Sequence, residues 1–270
     1  MLGDTHTATV GSKKWNSGIW AGNEAQAWDL VVPSSQTRRE ARFLTWAFEH
    51  LADRKVHEVL DLGCGTGRLA IELSAMGYSM TGVDKFAAML RIAQQNANER
   101  GVKLNLRRTS LEELDIVGEF DAAYSVFSVF NYILDEAGFR NTLGRLKVLI
   151  RSGGLLVLDM ANYASFYDSY KKVITKERRG NGWSVRLRMA HRIDDVNMLW
   201  QNYERNRMKK DGKLKTWRET HTFRMWTFPE IKGHLLANGF AKVRLFGRMK
   251  AGTEEATTHA PRLVIVCNRA

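Results

Sequence analysis

Four residues at alternate positions, Asp61, Gly63, Gly65 and Gly67, could form a turn that holds a ligand through its backbone. They follow an apolar run at 56–62 that predicts a buried strand, and they precede apolar residues at the spacing of a helix. At such a junction backbone N–H groups converge, and glycine lets a ligand approach the main chain without an intervening Cβ. The alternative is a tight turn without a ligand, because glycine motifs alone are weak indicators.

A second acidic residue, Asp84, narrows the identity of the ligand. It ends another predicted strand at 78–84. In a right-handed βαβ unit it emerges beside the glycine turn, where it can accept hydrogen bonds from two ribose hydroxyls. A dinucleotide fingerprint would need a third glycine at the position of Arg68. The spacing therefore favours a nucleoside ligand other than a dinucleotide.

Together, Asp61-Leu-Gly-Cys-Gly-Thr-Gly67 and Val83-Asp84 resemble motifs I and post-I of the class I S-adenosylmethionine-dependent methyltransferases. The resemblance implies S-adenosyl-L-methionine as the cofactor, with Asp61, Gly63 and Gly65 at its methionine portion and Asp84 at its ribose. The other residues assigned to the cofactor site are Cys64 in the turn, Ser110 and Leu111 after the third strand, Phe127 after the fourth, and Trp28.

Two of these assignments depart from a simple match. Family members usually carry an aspartate near position 110 that binds the adenine amino group. With Ser110 there, adenine recognition would rest on backbone groups and on packing of Leu111. Trp28 lies in a tract, 27–33, that resembles the aromatic-Asp segment closing over the methionine end of the cofactor. The alternative is that Trp28 is an ordinary residue of the hydrophobic core.

The composition describes a globular chain of 270 residues, long enough for one large domain or a domain with an insertion. No apolar run reaches membrane-spanning length and the N-terminus lacks a signal-peptide core, which favours a cytoplasmic location without a membrane partner. The two cysteines, Cys64 and Cys267, are far apart, and no cysteine–histidine cluster has metal-ligand spacing. We therefore expect reduced thiols and no metal site.

Strand and helix patterns alternate along the first part of the chain, which predicts an α/β fold. The expected architecture is a seven-stranded, Rossmann-like doubly wound sheet with an inserted antiparallel β-sheet lid. Ser152-Gly153-Gly154 is expected to end a helix before the fifth strand. Four units are predicted along the chain. An N-terminal helical cap, with a mobile tail at 1–18, occupies 1–54, and the cofactor-binding core occupies 55–162. The inserted sheet occupies 163–226, and a C-terminal helix with two core strands occupies 227–270.

The inserted segment, 163–226, alternates in polarity rather than following helical spacing. Hairpin turns such as Gly180-Asn181-Gly182 and Asp211-Gly212 predict an antiparallel sheet. By layout the insertion resembles that of bacterial small-molecule methyltransferases of the amino-sugar and glycine/sarcosine type. In those families such a sheet covers the substrate pocket.

The insertion also carries most of the chain's net charge of +12, since its sixteen basic and seven acidic residues leave it at +9. One interpretation is a solvated outer face that prevents edge pairing. The other is a site for an acidic small substrate, because Arg186, Arg188 and Arg192 share a strand parity and should point to one face, with His191 on the other. Binding of RNA is a further alternative, in which the tryptophans of the insertion would stack on bases instead of forming core.

The loop after the fourth strand, 127–132, lies where open α/β sheets bind their ligands. It resembles the loop of N-methyltransferases acting on amines and amino sugars, with Tyr132 at the histidine position and Asn131 at the glycine position. We predict methyl transfer to a small molecule, favouring an amine nitrogen, with Tyr132, Asn131 and His191 as catalytic candidates and His221 as a second imidazole. Methylation of oxygen, carbon or RNA, or cofactor binding without turnover, are the alternatives. Tyr132 could instead be a pocket wall and a strand histidine could be structural. The oligomeric state is not predicted.

Overall fold

The structure, a computed structural model, describes residues 26–167, 171–253 and 260–270. Its helices are α1 (Gln26–Val31), α2 (Ser34–His50), α3 (Arg68–Ala75), α4 (Ala87–Glu99), α5 (Glu136–Leu149), α6 (Ala164–Tyr167) and α7 (Phe228–Ala237). Its strands are β1 (Glu58–Leu62), β2 (Ser79–Asp84), β3 (Asn105–Arg108), β4 (Phe120–Ser125), β5 (Ile150–Ala161), β6 (Val173–Gly180), β7 (Trp183–Asp194), β8 (Leu199–Lys210), β9 (Lys213–Arg224), β10 (Phe240–Phe246) and β11 (Arg262–Arg269). The tail predicted at 1–18 and the side chain of Trp28 lie outside the described residues.

Seven strands form the main sheet in the order β10-β11-β5-β4-β1-β2-β3, and β11 alone runs in the direction opposite to the other six. All six residues of β4 are buried. The strands of a parallel sheet are buried in this way because helices cover both of its faces. Phe139 of α5 and Ile231 of α7 pack on one face, and Phe43 of α2 and Leu69 of α3 pack on the other. The predicted α/β fold is confirmed.

The fifth strand begins earlier than its apolar run suggested. The Ser152-Gly153-Gly154 segment was expected to separate helix from strand, but it lies within β5. Gly153 has a φ of +75°, and the pairing of β5 with β4 shifts register between Phe120 and Ala122. The glycines therefore form an irregularity inside the strand instead of a break before it.

The inserted sheet is an antiparallel meander of β6, β7, β8 and β9. Asp211 and Gly212 join the last two strands with φ values of +50° and +76°, as a tight hairpin requires. Burial alternates along β7, where Val185 is buried and Arg186 is exposed. We call the face that includes Val185 the inner face and the one that includes Arg186 the outer face.

The inner face packs on the main domain through apolar side chains. Trp183 and Trp217 contact a buried cluster that includes Ala27 of α1, and Trp200 contacts one that includes Tyr163. Trp226, which follows β9, is fully buried and donates a hydrogen bond to the Ile133 carbonyl at 3.0 Å. The tryptophans of the insertion are thus core side chains and not exposed stacking platforms. None of the helices in the described ranges is long and apolar enough to cross a membrane.

Candidate active site

The glycine turn of residues 61–67 is held against the end of β2 by backbone hydrogen bonds. The N–H groups of Gly63 and Cys64 both donate to the Val83 carbonyl at 2.9 Å. Gly65 N–H donates to Asp84 Oδ2 at 3.0 Å, and Phe86 N–H donates to Oδ1 of the same carboxylate at 2.9 Å. Burial raises the pKa of Asp84 although both hydrogen bonds oppose this. The predicted pair of motifs therefore meets in one place.

Asp61 lies behind this turn with its carboxylate almost completely buried. The Tyr124 hydroxyl donates to its Oδ2 at 2.7 Å. Burial raises the pKa of Asp61 to about 7, against the hydrogen bond from Tyr124 and the positive charge of Arg68, which both lower it, while the charge of Asp84 adds to the rise. A carboxylate held at this cost favours a cationic ligand group beside it.

The two central glycines of the turn differ in their surroundings. A Cβ on Gly63 would lie 2.7 Å from Cγ1 of Val129, so a side chain there would displace the loop after β4. A Cβ on Gly65 would meet no atom within 4 Å, because this glycine faces open space. Both have positive φ values, +76° and +55°, which glycine adopts without strain. Gly65 therefore leaves room for a ligand to contact the backbone.

The turn opens into a cavity of about 880 Å³ that extends from the end of the parallel strands to the inner face of the inserted sheet. Of the residues predicted to contact the cofactor, those lining it are Asp61, Gly63, Cys64, Gly65, Asp84, Ser110, Leu111 and Phe127. Ser110 Oγ accepts a hydrogen bond from Glu113 N–H at 3.2 Å, and Leu111 is buried. Burial also raises the pKa of the Cys64 thiol, which stays protonated. The wall has the mixed apolar and polar character of a cofactor pocket.

A strained loop after β4 forms the part of the cavity wall that adjoins the glycine turn. Phe127 and Ser128 have φ values of +63° and +62°, which are uncommon outside glycine. Asp159 at the end of β5 fixes them, since its carboxylate accepts from Phe127 N–H at 2.9 Å and its carbonyl accepts from Ser128 N–H at 3.0 Å. Arg262 in turn donates to both oxygens of this carboxylate, at 2.7 and 2.8 Å. Strain secured in this way occurs characteristically at binding sites.

Arg68, which stands where a dinucleotide site would have glycine, spans the cavity wall. Its guanidinium lies 4.8 Å from the centre of the Phe127 ring and 2.5 Å from the carboxylate of buried Glu40. Gln36 donates to the other oxygen of Glu40 at 2.9 Å. These contacts join α2 and α3 to the loop after β4, a connection that the sequence motifs did not indicate.

Tyr132, at the end of the 3₁₀ helix Val129–Tyr132, lies between the glycine turn and the inserted sheet. Its hydroxyl is 3.0 Å from Nδ1 of His221 on β9. The other ring nitrogen of His221 is 3.2 Å from Oε2 of Glu219, whose carboxylate also accepts from the Trp217 indole. Tyr132, His221 and Glu219 thus form a chain of titratable groups that leads from the cavity into the inserted sheet.

Two predicted catalytic residues do not line the cavity. Asn131 is completely buried, and its side chain donates to the Arg224 carbonyl at 3.0 Å and accepts from Ala161 N–H at 3.1 Å. His191 is buried against the Trp200 ring, with ring centres 4.8 Å apart, and burial lowers its pKa. Asn131 therefore fastens the inserted sheet to β5, and His191 belongs to a packed cluster.

The arginine row of β7 does not lie at the cavity, where binding of an acidic substrate would require it. Arg186, Arg188 and Arg192 are exposed on the outer face, whereas the cavity is bounded by the inner face. Strand parity separates the row from the pocket, so the interpretation that it recognises an acidic substrate inside this cavity is wrong. His191 does point to the opposite face, as predicted.

The inner face carries acidic and amide side chains that sequence reasoning missed. Glu204 and Asn202 of β8 line the cavity, and Glu219 is paired with Glu204 across the two strands. Strand parity could have identified these residues from the sequence. Every second residue of a strand faces the same side, and this applies to Asn202, Glu204 and Asn206 on β8 and to Glu219 and His221 on β9.

The doubly wound sheet, with an acid–glycine turn and a second carboxylate at its central strand ends, defines an α/β protein that binds a nucleoside-containing cofactor. The model of a family described as methyltransferase domain matches residues 59–154. A putative methyltransferase of Geobacillus sp. (strain WCH70) is 37% identical over 207 residues, covering 75% of this chain and 78% of that protein. The chain therefore belongs to the S-adenosylmethionine-dependent methyltransferases, and S-adenosyl-L-methionine is its cofactor.

Other relatives match a smaller part or the fold alone. Glycine N-methyltransferase of Rattus norvegicus is 30% identical over 155 residues, so this chain spans about half of its length, 53%. An S-adenosylmethionine-dependent methyltransferase from Clostridium acetobutylicum aligns with a TM-score of 0.75 at 18% identity, over 90% of this chain and 96% of that one. A sugar N-methyltransferase from Streptoalloteichus sp. aligns with a TM-score of 0.72 at 16% identity, over 100% and 99%. The similarity in fold therefore extends beyond the main sheet to the inserted segment.

Proposed function

We propose that this methyltransferase acts on an amine nitrogen of a small molecule that binds between the glycine turn and the inserted sheet. The observation that carries the proposal is the shared cavity that joins Asp61 and Asp84 to Tyr132 and His221. Its enclosure by the inner face leaves room for a small acceptor beside the cofactor, and the sugar and glycine N-methyltransferases among the similar proteins add support.

The glycine turn and Asp84 would bind the methionine and ribose portions of the cofactor. The buried carboxylate of Asp61 fits the methionine ammonium group, and Asp84 fits the ribose hydroxyls. Backbone at Gly63 and Gly65 allows close approach. When bound, S-adenosylmethionine supplies an electrophilic methyl group on a positively charged sulfur. The protein then has to align the acceptor, exclude water and keep the nitrogen unprotonated, and alignment alone can contribute roughly 7–11 kcal/mol.

Tyr132 and His221 would remove the proton from the acceptor. His221 Nε2 lies 3.2 Å from Glu219 Oε2, and the tautomer that carries its proton on Nε2 would leave Nδ1 available to accept the proton of the Tyr132 hydroxyl. As that proton moves to His221, the Tyr132 oxygen can take one from the acceptor amine. Glu219 would stabilise the resulting imidazolium, as an orienting carboxylate does in other relays. His221 thus takes the role for which His191 was a candidate.

Product analysis tests the proposal. The protein is incubated with methyl-labelled S-adenosylmethionine and a panel of amines, alcohols and phenols, and the methylated atom is identified by NMR. Tyr132→Phe should lower kcat on the responding amine by about 100-fold and leave affinity for S-adenosylhomocysteine unchanged. Tyr203→Phe, a change on the outer face, is the matched control and should retain full activity. Methylation of oxygen or carbon alone, or an unaffected Tyr132→Phe, would overturn the assignment.

A further inference from the structure

We propose that the inner face of the inserted sheet holds a subsite for a protonated amino group of the acceptor, formed by Glu204 and Asn202. The proposal rests on the proposed function and specifies its substrate class. Both side chains line the cavity from β8. Asn202 pairs with His221 across the strands, so the subsite adjoins the relay that ends at Tyr132.

Neutral groups hold the Glu204 carboxylate in place. Asn202 Nδ2 donates to one oxygen at 2.7 Å, and Asn206 Nδ2 donates to the other at 2.9 Å. Within the described part of the chain, neither oxygen forms an ion pair with lysine or arginine. Each carboxylate oxygen can accept a further hydrogen bond. A partly buried carboxylate that has only neutral donors would gain free energy from a cation placed beside it.

Asn202 adds a second acceptor that lacks a partner. The residue is 6% exposed, and its Oδ1 accepts no hydrogen bond from the residues that the structure describes. Rotating the amide would not relieve this, because Oδ1 would then face the Glu204 carboxylate at 2.7 Å. A buried acceptor without a donor destabilises the fold, so the site favours a ligand that brings hydrogen-bond donors.

The charges around the subsite favour a cation over a neutral donor. Glu219 is buried and lies directly across from Glu204. Burial raises the pKa of Glu204 and the charge of Glu219 adds to the rise, whereas the hydrogen bond from Asn206 and the charges of His221 and Lys176 oppose it. Lys176 and Arg178 reach the same cavity from β6, but both are exposed to solvent, which screens them. An ammonium group supplies donors for Asn202 and charge for Glu204 at once.

Binding of three ring probes that differ in one group tests this inference. Cyclohexylamine, cyclohexanol and cyclohexanecarboxylate are titrated at neutral pH into the full chain, with and without S-adenosylhomocysteine, and followed by calorimetry. The amine should bind more tightly than the other two. Glu204→Gln should weaken amine binding by roughly 10- to 100-fold, as expected from the loss of a charge-assisted hydrogen bond. Glu136→Gln removes an exposed acid of α5 that is paired with Arg140 and does not line the cavity, and should change nothing.

The possible results separate this inference from the proposed function. Equal binding by the alcohol, tighter binding by the carboxylate, no binding by any probe, or an unaffected Glu204→Gln would each overturn the subsite. Methylation of amines in the product analysis would then leave the proposed function standing. Failure of S-adenosylhomocysteine to bind would refute the proposed function, and amine binding without it would still report on Glu204.

Discussion

Replacing Asp61 by Asn should stabilise the ligand-free protein at neutral pH although it removes a charge that we propose contacts the cofactor. Burial raises the pKa of this carboxyl from 3.8 to about 7. The folded protein therefore holds the proton more tightly than the unfolded chain, and its stability falls as the pH rises from about 4 through about 7. With about 1.4 kcal/mol for each pH unit, the cost of ionised Asp61 reaches about 4 kcal/mol as an upper bound.

Urea unfolding of wild-type and Asp61→Asn protein at several pH values measures this cost. The two should be similar near pH 4, and the variant should become more stable by several kcal/mol near pH 8. Other titrating groups cancel in the difference, and the amide of the variant keeps an oxygen that can accept from the Tyr124 hydroxyl. A difference that does not change with pH, or one that favours the wild type near pH 8, would refute the reasoning.

The same experiment with ligand reports what the buried charge does. S-adenosylhomocysteine carries an ammonium group, which would offset the cost of ionising Asp61. Its affinity for the wild type should therefore rise by up to about tenfold per pH unit below pH 7 and level off above it. The Asp61→Asn variant should bind weakly with no such rise. Equal pH profiles would show that the ammonium group does not lie beside Asp61.

Three further predictions follow from the geometry of single residues. Gly63→Ala should lower stability by about 1–3 kcal/mol because its Cβ would strike Val129, whereas Gly65→Ala should mainly weaken S-adenosylhomocysteine binding in calorimetry. Asn131→Ala should lower the free energy of unfolding by about 1–3 kcal/mol, while kcat per folded molecule changes little. A loss of kcat of about 100-fold would instead indicate that Asn131 is a catalytic residue. Arg205→Glu should raise stability by about 0.5–1 kcal/mol in low salt and less in high salt, measured by thermal unfolding, because Arg205 is flanked by arginines on both neighbouring strands.

The cofactor end of the site was predictable because its determinants are local in sequence. An acid, three glycines and a carboxylate ending the next strand lie within 61–84, and right-handed βαβ connectivity leaves one way to bring them together. The structure places Asp61, Gly65 and Asp84 at one cavity accordingly. The contact of Arg68 with Glu40 joins two helices that the sequence does not relate, so no local pattern indicated it.

The acceptor end was less predictable because it depends on which hairpin strand lies over the core. His191 and His221 both sit on the inner face of an alternating strand, so parity does not distinguish them. The order β6-β7-β8-β9 places β9 next to the 3₁₀ helix, and this brings His221 within 3.0 Å of Tyr132. That docking is set by side chains such as Asn131, whose bonds to the backbone became visible only in three dimensions.

The two faces of the inserted sheet differ in polar chemistry along β8 and β9, although Lys176 and Arg178 of β6 also reach the cavity, and this difference would let a strongly basic insertion enclose the proposed site for a cation. On the outer face Arg188, Arg205 and Arg218 stand side by side across three strands, exposed to solvent. On the inner face the register places Glu204 beside Glu219, both shielded from bulk water. Because strand parity sends neighbouring residues to opposite faces, a net charge summed over 163–226 averages two surfaces that a ligand never meets together. Because the buried face experiences less solvent screening, we expect its few carboxylates to influence what the cavity binds more than the numerous exposed arginines of the outer face do.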